Sequence, residues 1–132
     1  MVASWVWFAS RKGGTKAAAK LAAFGEQLTG KTLAISGQTR AELLTLKLTR
    51  PLTAEQDAAF MQALDSITYF PLDRGVQARY ADLTAWGKTH AHPIAQKVQA
   101  ADRWIAATAL NFDLSLATED GSFEDLPGLT LL

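Results

Sequence analysis

Three carboxylates in this chain stand where an α/β sheet usually does its chemistry. Glu42 lies shortly after the apolar run "LAIS", Asp102 heads the stretch "DRWIAATAL", and Asp120 directly follows "LSLAT". Open α/β sheets bind ligands at the carboxyl ends of their strands, so the three acids are expected to converge on one edge. Converging carboxylates raise one another's pKa unless a cation neutralises them. A hard divalent ion, Mg²⁺ or Mn²⁺, is the natural partner for such oxygen ligands. Held there, it would activate a water and stabilise the leaving oxygen of a phosphodiester. Each acid also has a plainer reading. Asp102 suits a helix cap or dipole partner, worth about 0.5 to 2 kcal/mol. Glu42 suits a solvated acid in the first turn of a helix, and Asp120 suits a turn former in "TEDGS". Spacing by itself does not choose the catalytic reading.

Other chemistries find little support. The chain has no cysteine, which removes disulfides, thiolate nucleophiles and cysteine-ligated zinc. His90 and His92 are the only imidazoles, and two-residue spacing points them to different faces of a helix, so a zinc site is hard to assemble. "RKGGTK" (Arg11 to Lys16) lacks the spacing of a phosphate-binding loop. Thirteen basic and thirteen acidic side chains cancel, so contact with a polyanion must come from a local patch or a bound cation. Arg11, Lys12, Arg40 and Arg103 would reach RNA phosphates if they shared the acidic edge, and are solvated otherwise. No apolar run approaches the ~18 to 20 residues that span a bilayer. A soluble, cytoplasmic protein with no membrane contact is expected.

The elements that must position the acids follow from periodicity. At 132 residues and 48% hydrophobic, the chain is expected to form one domain with a real core. Helical spacing runs from Thr15 to Leu28, and "KTLAISG" then offers a short strand. "QTRAELLTLKL" returns to helical spacing and stops before Pro51. Thr53 and Gln56 form a capping box ahead of "AEQDAAFMQALDSI". "SITYFPL" reads as a strand, Asp73 as the cap of a helix from about Arg74 to Thr89, and Gln99 to Phe112 as a nearly all-apolar helix. "LSLAT" and "LTLL" are short apolar segments separated by turn signals. Trp5, Trp7, Trp86 and Trp104 are expected as core or interface anchors. Strands separated by helices imply parallel pairing, hence a three-layer α/β/α domain with a mostly parallel sheet.

"ADRWIAATALNFDLSLATEDGSFEDLPGLTLL" resembles the carboxyl-terminal third of PIN-domain proteins of the VapC toxin type. Asp102 to Ala109 fit the family's "D-x-W/L-I-A-A-T-A" helix, while Thr118, Asp120, Phe123, Pro127, Gly128 and Leu129 fit its "T-x-D/N", Phe and "PGL" elements. Upstream, Ser36, Thr39, Ala41, Glu42 and Leu43 are similar to "S-x-x-T-x-A-E-L". The resemblance runs from about Thr32 to Leu132. It implies a PIN fold and Mg²⁺- or Mn²⁺-dependent endoribonuclease activity, with Glu42, Asp102 and Asp120 at three acidic metal-site positions. Glu119 and Ser122 also compare with an acidic position in relatives. The resemblance further implies a toxin–antitoxin setting with an RNA substrate, a VapB-type antitoxin partner and a possible homodimer. Ser36 and Thr39 would hold water or orient a carboxylate near Glu42.

The pattern departs from the family at its start. The family begins with a strand running into "L-D-T-N-V-x-S", whose Asp is the first metal-site acid, whereas this chain begins "MVASWVWF". One alignment sets Ala3 against that Asp, and another places the Asp two residues before Met1. Neither supplies the acid. The expectation is therefore a single PIN-like domain over residues 1 to 132 with a truncated N-terminal strand and weakened cation affinity. A binding protein that retains its antitoxin without catalysis is the alternative.

Overall fold

The computed structural model describes Glu26 and residues 28–132. The N-terminal strand, the pair Arg11 and Lys12, Trp5 and Trp7, and nearly all of the helix expected from Thr15 lie outside the described residues. Strand β1 (Ala34–Ser36) is buried at all three positions. Helix α1 (Gly37–Thr49) starts at once, because the Ser36 side chain accepts from the Thr39 N–H at 3.0 Å and satisfies an otherwise orphaned donor. Helix α2 (Ala54–Ser66) carries the expected capping box, with both reciprocal bonds between Thr53 and Gln56 formed. Strand β2 (Thr68–Phe70) lies parallel to β1, with Ile35 opposite Tyr69.

Asp73 accepts from the Val76 N–H and caps helix α3 (Arg74–Thr89) as expected. Two 3₁₀ turns, Pro93–Ala95 and Lys97–Gln99, lead into helix α4 (Ala100–Asn111). The carboxyl-terminal segments contribute a single parallel bridge, Leu116 to Leu131. The α/β class and the parallel pairing agree with the periodicity. The strands are shorter than "KTLAISG" and "SITYFPL" suggested, since only the three residues that meet a partner strand are paired.

Helices α1 and α4 both pack on β1, and α3 runs along α4. A core of Val76, Leu83, Ile94, Ile105, Leu116 and Phe123 lies around the α3–α4 pair, and a second cluster of Ile35, Leu43, Phe60 and Leu64 joins β1 to α1 and α2. Tyr80 stacks on Trp104 with ring centroids 4.0 Å apart, which adds aromatic contact along the α3–α4 seam.

The 3₁₀ turn at Pro93–Ala95 presses against Gly87 so closely that a Cβ there would lie 2.9 Å from the Ala95 Cβ and 3.2 Å from the Ala95 nitrogen. Backbone cannot yield as a flexible side chain does. Gly87→Ala is predicted to destabilise the protein by about 1 to 3 kcal/mol, despite alanine's better helix propensity. Urea denaturation followed by circular dichroism checks this.

Candidate functional site

Asp102 lies in the first turn of α4, but it does not cap the helix. Gln99 occupies the cap position without a side-chain cap bond. The Asp102 Oδ2 instead accepts from the Ser122 hydroxyl at 3.3 Å, across twenty residues of chain. Burial pushes the Asp102 carboxyl above its ordinary value, the Asp120 charge pushes it further, the Ser122 hydroxyl pulls it back, and the Glu42 charge adds a smaller rise. Acids from α1 and from the loop after Leu116 therefore both act on the first turn of α4.

Asp120 is exposed and holds a turn, as its plainer reading required. Its Oδ1 accepts from the Ser122 N–H at 2.9 Å and caps the 3₁₀ turn Gly121–Phe123, while its own N–H donates to the Thr118 hydroxyl at 3.1 Å. The turn-forming role uses one carboxylate oxygen, so it does not compete with a second role for the other. Glu42 departs from the first-turn expectation. The helix opens at Gly37 under the Ser36 cap, which puts Glu42 in the second turn, where the helix dipole gives little. It is half-buried, accepts from Gln38 Nε2 at 3.0 Å, and lines a shallow groove along α1 with Ala41 and Thr45.

Ser36 and Thr39 do something other than tend Glu42. Both are buried, and their hydroxyls bond each other at 3.0 Å while Ser36 caps α1. Arg40 and Arg103, unlike the expectation, are engaged inside the fold. Arg40 pairs with Asp65 at 2.8 Å and donates to the Leu64 carbonyl. Arg103 is buried, donates to the Ala95 carbonyl at 3.0 Å and lies over the Tyr80 ring at 4.8 Å.

Gln38, Thr118, Ser122 and His92 shape this edge without having been marked for it, apart from Ser122's place beside an acidic family position. Gln38 was detectable, since a Gln four residues before a Glu on a helix brings the two side chains together. His92 was not. The Ile94 N–H donates to its Nδ1, so the ring proton sits on Nε2 and donates to the Glu124 carbonyl at 3.0 Å. That bond ties the loop before α4 to the segment that carries Asp120.

Among the described residues, no group of three or more His, Cys, Asp or Glu side chains is arranged to hold a metal ion by itself. The donor chemistry nevertheless suits a hard divalent cation. Mg²⁺ keeps several waters and needs only one or two carboxylates from the protein, and Asp102 and Asp120 supply that number.

The PIN domain family model matches residues 2–129. Over 54 residues the chain is 48% identical to Toxin FitB of Neisseria gonorrhoeae, a stretch that makes up 40% of this chain and 36% of that protein. The match thus spans little more than a third of that relative. The crystal structure of FitAcB from Neisseria gonorrhoeae superposes with a TM-score of 0.69 at 28% identity, over 92% of this chain and 88% of that one. VapBC2 from Rickettsia felis, solved bound to a DNA fragment from their promoter, gives 0.73 at 20% identity, over 100% of this chain and 96% of that one.

The raised Asp102 carboxyl has a stability consequence. A carboxyl whose folded pKa lies above its unfolded value favours the fold when protonated, and that contribution is lost as pH rises through the folded pKa. At neutral pH, in EDTA, Asp102→Asn is predicted to raise the melting temperature, because the amide removes the charge while its oxygen still accepts from Ser122. The gain should shrink as pH falls through the raised folded pKa and be gone below the ordinary Asp value near ~3.9, where both states of wild-type Asp102 are protonated. Thermal melts across pH measure the difference.

Proposed function

This chain belongs to the PIN domain family, and from that premise we propose that it is a Mg²⁺- or Mn²⁺-dependent endoribonuclease. We propose further that it is the toxin of a VapBC-type toxin–antitoxin pair, working in the cytoplasm. The observation that carries this reading is the hydroxyl bond from Ser122 to Asp102 Oδ2 at 3.3 Å, which joins the first turn of α4 to the turn whose N–H holds Asp120 Oδ1 at 2.9 Å. Two carboxylates tied to one residue suit a cation site, and a helix cap needs no such tie.

In this reading Asp102 and Asp120 would hold the ion, and Glu42 would add its charge to the field around it. When bound, a divalent cation supplies Lewis acidity and a nucleophilic water at neutral pH. The protein's own part is placement. The Ser122 N–H fixes the Asp120 carboxylate, and Gln38 orients that of Glu42. Half-burial of Asp102 lowers the local dielectric and strengthens its attraction for a cation. A VapB-type antitoxin belongs to the same proposal, supported by the likeness to Toxin FitB, and a homodimer partner is proposed with it.

A second reading, a chain that keeps its antitoxin but has lost turnover, is favoured by one observation: among the described residues no three acids are grouped to hold a metal ion. One assay separates the two. With Mg²⁺ or Mn²⁺, the purified chain is predicted to cleave RNA, with EDTA abolishing cleavage and Asp102→Asn reducing it at least ~100-fold. Cleavage indifferent to both treatments contradicts the metal mechanism. A folded chain that cuts nothing, yet co-purifies with a small protein encoded beside it, supports the second reading.

A further inference from the structure

Ser122 bonds two carboxylates at once. Its backbone N–H donates to Asp120 Oδ1 at 2.9 Å, and its hydroxyl donates to Asp102 Oδ2 at 3.3 Å. The first bond is local and closes the turn. The second crosses from that turn to another helix and does nothing for the turn, which an alanine would form equally well because it keeps the N–H. We propose that Ser122 is a positioning residue whose hydroxyl clamps Asp102 to the turn bearing Asp120, fixing the two carboxylates relative to each other for a divalent cation. This rests on the metal-site reading above.

The clamp has a firm mounting on both sides. Phe123, the next residue, is buried in the same core cluster as Ile105 of α4. Thr118 receives the Asp120 N–H on one flank of the turn, and His92 donates to the Glu124 carbonyl on the other. The backbone of residues 118–124 is thus held before any ligand arrives, and the hydroxyl passes that order to Asp102. Two like charges drift apart when nothing opposes their repulsion. A donor placed between them keeps the pair set, so less of the binding free energy is lost to reorganisation.

Calorimetric titration of the full chain with Mn²⁺ alone tests this, using wild type, Ser122→Ala, Ser122→Thr and Asp102→Asn. Ser122→Ala is predicted to weaken Mn²⁺ affinity about 10-fold with the melting temperature lowered by only a few degrees, since Ser122 is partly exposed and its turn bond survives. Ser122→Thr, which keeps the hydroxyl, should restore affinity to within about 3-fold. Equal weakening in the Ala and Thr variants overturns the clamp. Wild-type affinity in Ser122→Ala beside lost binding in Asp102→Asn also overturns it and leaves the proposed function standing. A wild-type chain that binds no Mn²⁺ overturns both.

Discussion

From Ile105 to Ala109, no residue of α4 keeps more than 2% of its surface exposed. Even Thr108 is fully buried, its hydroxyl satisfied by the Trp104 carbonyl at 2.7 Å. A helix gripped in this way cannot shift to suit its first turn. Asp102, one turn before Ile105, is therefore held half-buried, where its charge is costly and has to be offset by what comes near it. The neighbours supply a hydroxyl donor and, against the same need, two further negative charges. Selection for stability alone would not assemble that combination. The burial of α4 thus turns an ordinary first-turn aspartate into the centre of an electrostatically strained edge.

The elements around α4 serve the same end. Small residues Ala106, Ala107 and Ala109 let α3 and β1 come close. Gly87 lets the Pro93–Ala95 turn press onto α3, and that turn presents the Ala95 carbonyl to Arg103 and the His92 ring to Glu124. Arg103, one residue from Asp102, is thereby consumed inside the fold. Its guanidinium anchors the start of α4 through Ala95 and Tyr80. Asp102 thus gains no ion pair from its neighbour Arg103.

Much of this fold was legible in the residues. The capping box at Thr53 and Gln56, the Asp73 cap, the limits of α4 and the parallel pairing all rest on local chemistry or on strand–helix alternation, and each appears as read. What could not be read depends on paths through space. Glu42 falls in the second turn because Ser36, rather than a later residue, caps α1. Arg103 looked like surface charge until the 3₁₀ turns folded Ala95 back over it. The bonds from Ser122 to Asp102 and from His92 to Glu124 join positions twenty or more residues apart, and no periodicity encodes such pairs. The family resemblance marked Glu42, Asp102 and Asp120. It included Thr118 and Ser122 without assigning them the bonds they make to Asp120 and Asp102.

The central claim is that Asp102 shares a cation with its acidic neighbours. The most direct measurement is the ionisation of the Asp102 carboxyl itself, followed by ¹³C NMR across pH, first in EDTA and then in saturating Mg²⁺. The metal-free midpoint should lie above the ordinary Asp value and fall clearly when Mg²⁺ is present, because a bound cation replaces repulsion with attraction. A midpoint that stays in the same place with and without Mg²⁺ would contradict it.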